Sequence, residues 1–287
     1  VCILNADGSS VYGSYVAATG KKNNRLSFQA QGAPHIENLL ADSSAENAES
    51  GWTVETYNLP CVSIDTTEHY LGAKSMKVET TAGSESPVVV AEQVVDVAPG
   101  QTYTFSAYVK TDNVRIAPGN YGAMLNVFFL SDRDSSNHVS AHTSEYLVGT
   151  QDWQRIKVTA TAPENATAVR VCCGLWGATG TAWFDCMQLE VGRTMNDYNM
   201  LTNSSFSGTS GWTGQNLATG DGIDSANDRY VISGEYGKMR SAEQTVQIGR
   251  KGTGFTLSAK AQGHSVPVGY ENRSFGLALD VYYEDGS

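Results

Sequence analysis

Between residues 101 and 110 apolar and polar side chains alternate. Tyr103, Phe105, Ala107 and Val109 fall on one face, and Thr104, Ser106 and Tyr108 fall on the other. The same two-residue period places Leu125, Val127 and Phe129 opposite Asn126 and Phe128 within 121–131. It also places Val169, Val171, Cys173 and Leu175 opposite Arg170 and Trp176 within 167–176. Further runs of this kind predict strands at 74–80, 88–97, 153–161 and 181–190, with shorter ones near 36–40, 62–65 and 145–148. Turn chemistry separates them. At Ala98-Pro99-Gly100, Pro presets the first turn angle and Gly tolerates a positive φ. Many short antiparallel strands in succession predict an all-β fold, most simply a jelly-roll β-sandwich.

The stretch 171–190, VCCGLWGATGTAWFDCMQLE, reads as the hairpin that closes this sandwich, with Gly-Ala-Thr-Gly-Thr as its polar turn. A second copy follows it. Asn38-Leu-Leu-Ala-Asp-Ser-Ser and Ser50-Gly-Trp-Thr recur as Asn199-Met-Leu-Thr-Asn-Ser-Ser and Ser210-Gly-Trp-Thr. Ala91-Glu-Gln recurs as Ala242-Glu-Gln, Ser106-Ala as Ser258-Ala, and GAMLNVFF from Gly122 as GLALDVYY from Gly276. The sequence thus predicts tandem jelly-roll β-sandwiches. The first, residues 35–195, is complete. The second, residues 196–287, stops where the first copy is near residue 133 and lacks the counterpart of the closing hairpin. Half a sandwich exposes strand edges and an apolar face, so the second copy is expected to be poorly ordered or completed by a neighbouring chain. Residues 1–34 resemble neither copy; they read as a β-hairpin around Asp7-Gly8 and a polar linker ending at Pro34. With no initiator Met and no signal peptide, the 287 residues are expected to be part of something larger.

Composition narrows the function. A formal net charge of -11 supplies no basic cluster to neutralise phosphates, which argues against nucleic acid and against anionic membrane surfaces. No run of about 18 apolar residues predicts a membrane span. Cys2, Cys61, Cys172, Cys173 and Cys186 are odd in number and at no metal-ligand spacing. Buried thiols are the simpler expectation, a disulfide involving Cys186 the alternative.

The ordered series NLLADSSAE…GW, VDVAPGQTYTFSAYVKTDN, WQRIKVTATAPENATAVRV and GLWGATGTAWFDCMQLE resembles the carbohydrate-binding modules of families four, nine and twenty-two. The resemblance implies jelly rolls that bind glycans without cleaving them. The tandem arrangement and the leading hairpin are also similar to bacterial wall-associated YD-repeat proteins. That likeness implies an extracellular or cell-surface location and a polysaccharide or cell-surface glycan as partner.

In such modules the three alternating strands above belong to one concave sheet, so Tyr108, Asn126, Phe128, Arg170 and Trp176 are expected to form one carbohydrate-binding surface. An aromatic ring offers a flat apolar face to a sugar, and Asn and Arg direct hydrogen bonds to its hydroxyls. The bland alternative is that loops or the next domain cover these side chains, leaving a structural spacer. The resemblance also implies a structural calcium between the first loop and the last strand, with Glu46 and Asp185 as oxygen ligands. Asp185 shares phase with Met187 and Leu189, although Phe184 and Cys186 fit the core equally well.

Other signals carry little. His138 and His142 are four apart, but in SSNHVSAHTSE they read as parts of a polar loop. No nucleophile elbow, phosphate loop or placed pair of carboxylates appears, so no catalytic residue is assigned. The sequons at Asn165, Asn203 and Asn272 arise easily at this Ser and Thr content.

Overall fold

The computed structural model describes residues 27–28, 36–46, 51–56, 61–80, 88–134, 136–235, 237–250, 255–264, 276–278 and 280. The expected hairpin at Asp7-Gly8 and half of the GLALDVYY repeat lie outside them. The described residues are all-β and antiparallel. They fall into two compact units, one of residues 36–232 with 240–251 and one of the remainder. In the smaller unit, β1 (Ser27–Phe28) pairs with β16 (Ala261–Gln262).

The larger unit holds the first sandwich. One sheet runs in the order β2 (Thr53–Thr56), β5 (Val88–Asp96), β10 (Ala168–Trp176), β7 (Ala123–Leu130), β8 (His138–Thr143). The other runs β3 (Val62–Asp65), β4 (Ser75–Thr80), β11 (Ala178–Val191), β6 (Thr102–Ile116), β9 (Gly149–Thr161). Between them lie the residues that alternation placed inward. Phe105, Ala107, Val109, Leu125, Phe129, Val169, Val171, Cys173 and Leu175 are fully buried. Truncating one of the phenylalanines would cost about 3–5 kcal/mol in lost transfer energy and cavity. The Cys173 thiol lies 3.7 Å from the sulfurs of both Met76 and Met187. Cys61, Cys172, Cys173 and Cys186 are buried reduced thiols.

Three expectations change. The expected strand near 36–40 is extended chain that hydrogen-bonds the end of β11, with Leu39 N–H donating to Leu189 O at 2.9 Å. The segment 145–148 contributes only the bridge Ala123↔Leu147. The stretch around His138 and His142 is β8, an edge strand that completes the first sheet. Its mainly exposed side chains gave it the polarity of a loop.

The repeat seen in the sequence is also a repeat of hydrogen bonds. Gln93 Oε1 accepts from Ala41 N–H and Gln93 Nε2 donates to Ala41 O; Gln244 does the same for Thr202. The indole N–H of Trp52 donates to Asp42 O, and that of Trp212 to Asn203 O. Asp42, Ala45 and Gly51 have positive φ, as do Asn203, Phe206 and Gly211. Thr53 pairs with Glu92 between β2 and β5. Thr213 pairs with Glu243 between β12 (Thr213–Gln215) and β15 (Ser241–Glu243). The second copy also has a short hairpin, β13 (Gly222–Asp224) with β14 (Arg229–Val231).

Candidate functional site

The face of the first sheet turned away from the core is crossed by a row of polar positions. Register aligns Thr53, Glu92, Cys172, Asn126 and Thr143 across all five strands. The neighbouring row is Val94, Arg170, Phe128 and Ala141, and the row on the other side includes Val90, Gly174 and Met124. Gly174, flanked by Val90 and Met124, presents no side chain in the middle of the face.

Arg170 Nε lies 3.5 Å from Glu92 Oε1, and both side chains remain partly exposed. The Cys172 thiol donates to Glu92 Oε2 at 3.8 Å. Burial, reinforced by the Glu92 charge, pushes that thiol well up and keeps it protonated. Asn126 is 2% exposed, yet among the described residues its Nδ2 has no hydrogen-bond partner. A buried amide without a partner costs about 1–3 kcal/mol, so it is a donor held ready for an acceptor. Guanidinium, carboxylate and carboxamide on one face can donate to and accept from the hydroxyls of a sugar.

Aromatic rings border these polar groups. Trp176, half-buried, ends β10. Phe128, also half-buried, has its ring 5.2 Å from that of His138. The sequence reading missed Tyr121 and Tyr146. They are 49% and 45% exposed and meet edge to face at 5.8 Å. Leu147 pairs with Ala123 and points inward with it, so Tyr146 shares the outer face with Met124. Tyr121 N–H donates to Trp176 O at 3.1 Å. A Cβ on Gly122 would sit 2.2 Å from Leu147 O, so only glycine lets the two chain segments approach this closely. The available signal was the alternation around Leu147, inverted relative to β8 by an extra residue near Ser144 that a period count does not register.

Tyr108 does not join this surface. Its phase is as expected, but β6 belongs to the opposite sheet, whereas β7 and β10 form the first. Tyr108 stacks on Tyr70 with ring centroids 3.5 Å apart, and the Arg155 guanidinium lies 5.5 Å from the centre of the Tyr108 ring. Burial and the hydrogen bond with Tyr70 push its phenol up to about 12. The expected five-residue surface therefore reduces to Asn126, Phe128, Arg170 and Trp176.

The expected calcium ligands do not fit a cation. Asp185 Oδ2 accepts the N–H groups of Tyr70 and Leu71 at 2.7 and 3.0 Å, and Oδ1 accepts that of Cys186 at 2.6 Å. Glu46 Oε1 accepts from Ala73 and Lys74 at 2.8 and 3.1 Å. Both oxygens of Asp185 and Oε1 of Glu46 are thus taken by N–H donors, where a cation needs oxygens. No group of three or more His, Cys, Asp or Glu suited to a metal occurs among the described residues. Nor does Asp185 point inward. Register slips by one residue between Asp185 and Gln188, and Cys186 there takes φ 50. This β-bulge lets Phe184, Met187 and Leu189 all face the core while Asp185, Gln188 and Glu190 face out.

Residues 37–179 match the protein family described as "Carbohydrate binding domain". The "tRNA nuclease WapA" of Bacillus subtilis (strain 168) is 31% identical over 274 residues, which is 87% of this chain and 11% of that protein. The chain therefore spans about a tenth of the length of this relative. Among solved structures, a module in complex with beta-1,4-galactotriose is 14% identical, covering 54% of this chain and 99% of that one at TM-score 0.40. A xylan-binding domain from family 22 is 18% identical, covering 54% and 95% at TM-score 0.37.

Proposed function

We propose that the first sandwich, a module of the carbohydrate-binding type, binds a polysaccharide or cell-surface glycan on the outer face of its first sheet. The observation that carries this reading is the buried Asn126 with its unpartnered Nδ2, beside the Arg170–Glu92 pair and bordered by Trp176, Tyr146 and Tyr121. Sugar rings would rest on the aromatic faces, while Asn126 and Arg170 donate to ring hydroxyls and Glu92 accepts from them. The face requires no covalent step, so the chain acts as a non-catalytic binding or adhesion region. The tandem arrangement and leading hairpin, similar to those of bacterial wall-associated YD-repeat proteins, support a setting in a large extracellular or wall-associated protein. The net charge of -11 supports a neutral glycan rather than a nucleic acid as this region's own ligand.

The test is a glycan array probed with the whole chain, followed by calorimetric titration of the best ligand. Trp176→Ala combined with Tyr146→Ala should weaken binding by at least about tenfold, equivalent to about 1.4 kcal/mol, with the thermal unfolding profile retained. Unchanged affinity in that variant would remove this face as the site.

A further inference from the structure

The face that Tyr108 occupies has a different employment. On the outer side of the second sheet, Gln188 and Glu190 are buried polar side chains, at 0% and 2% exposure. Glu190 Oε1 accepts Asn196 N–H at 2.9 Å and Gln188 Nε2 at 3.1 Å, and Oε2 accepts Asn196 Nδ2 at 2.5 Å. Gln188 Oε1 accepts Asn199 N–H at 2.9 Å, and its Nε2 also donates to Asp197 O at 3.3 Å. Arg155 donates to Asn196 O at 2.7 Å from one guanidinium nitrogen and to Ser106 Oγ at 3.0 Å from the other. Thr104 Oγ1 donates to Gly192 O, and the Tyr198 hydroxyl meets Ser43 Oγ at 2.6 Å. The connector between the copies is therefore a strap sewn onto the sheet. A Gly- or Ser-rich tether would leave these groups to water.

Two further anchors lie elsewhere on the same unit. Asn199 Nδ2 donates to Ile36 O at 2.7 Å and Ser205 Oγ to Glu37 Oε1 at 2.6 Å, which ties the opening loop of the second copy to that of the first. The loop 70–74 takes the third. Its five successive N–H groups point at Asp185, Asp185, Ile248 O, Glu46 and Glu46, so the middle one receives a carbonyl of the second copy at 3.1 Å. Next to it the Arg250 guanidinium lies 4.5 Å from the centre of the Tyr70 ring, which stacks on Tyr108.

From these three separate anchors we infer that the outer face of the second sheet is a docking surface for a further copy of this repeat, coupling the sandwich to the opening half of the next copy as one cooperative body. Solvation explains why the strap holds. Glu190 is buried, and among the described residues its donors are Gln188 and the backbone and side-chain N–H groups of Asn196. Lifting the strap strips a buried carboxylate of its partners, which is costly unless water follows. The two faces of the sandwich then have separate tasks. The second sheet docks the neighbouring repeat, and the first carries the proposed ligand face. This coupling stands whether or not a glycan binds.

Hydrogen exchange on the whole chain tests it. The Asn196 and Asn199 amides should exchange at least about a hundredfold more slowly than in an unstructured peptide. Trypsin should cut slowly after the exposed Arg193 beside them. Asn196→Ala alters only the strap and should raise both rates about tenfold or more, while the amides of Phe105 and Val171 keep their protection. Arg250→Ala lies far along the chain from the strap and should also raise them, because the anchors act together. Peptide-like exchange of Asn196 and Asn199 in the unaltered chain, or strap protection untouched by Arg250→Ala, would overturn the inference.

Discussion

Gln93 grips Ala41 by both of its backbone polar groups, accepting the N–H at 2.8 Å and donating to the carbonyl at 3.0 Å. Gln244 grips Thr202 in the same way, at 2.8 and 3.0 Å, but in a more exposed setting. Gln93→Ala removes a buried side chain that holds the loop end by two hydrogen bonds and should cost about 1–3 kcal/mol. Gln244→Ala lets water replace the amide and should cost less than about 1 kcal/mol. Urea denaturation of the two variants gives the comparison.

Tyr108→Ala separates the two faces. The ring stacks on Tyr70 on the second sheet and is remote from Asn126 and Trp176 on the first. Glycan affinity should stay within about twofold of the unaltered chain, while stability falls by about 1–3 kcal/mol through the lost stack and packing. Calorimetric titration and thermal melting of the same preparation read both quantities.

Asp185 should give the sandwich a pH dependence. Burial raises its carboxyl to about 7 against the pull of three N–H donors, whereas in an unfolded chain an Asp titrates near about 3.9. Between those values the folded protein holds the extra proton. The group's contribution is fully present at low pH and declines as pH rises from about 4 to about 7. Asp185→Asn should flatten that part of the stability profile. The amide cannot accept the Cys186 N–H from its Nδ2, so overall stability should also drop. Denaturation midpoints at intervals across this range would show whether the slope disappears.

Calcium should do little. Glu46 and Asp185 are occupied by N–H donors of the loop 70–74. Millimolar calcium or a chelator should move the thermal midpoint by less than about 1 °C, because a ligand stabilises only as far as it binds the folded state. A rise of several degrees on adding calcium would show a cation displacing those N–H groups.

Gly122→Ala tests how Tyr146 is placed. The new methyl group would meet Leu147 O at 2.2 Å, and backbone must shift to admit it. Binding should weaken along with stability, by about 1–3 kcal/mol for the latter. Retained affinity in a folded Gly122→Ala chain would show that the Tyr121–Tyr146 pair does not touch the ligand.

Alternation was enough to assign inward and outward positions on β6, β7 and β10, because a strand's side chains obey a period of two whatever they pair with. The repeat was legible for a related reason. Asn38, Ala41, Gly51, Trp52 and Gln93 have counterparts at Asn199, Thr202, Gly211, Trp212 and Gln244, and each makes the same local bond or turn in both copies. What the sequence determined by itself was therefore the all-β class, the strand faces and the tandem copies. The tertiary structure decided which strands share a sheet, since pairing across more than a hundred residues leaves no mark in local periodicity. It moved Tyr108 away from Asn126 and Trp176 on that ground. It also decided the fate of the closing hairpin, where one bulged residue at Cys186 turned Asp185, Gln188 and Glu190 outward and gave them backbone N–H partners from the loop 70–74 and the strap. An inserted residue reverses every phase beyond it, and its presence is fixed only by the strand lying opposite.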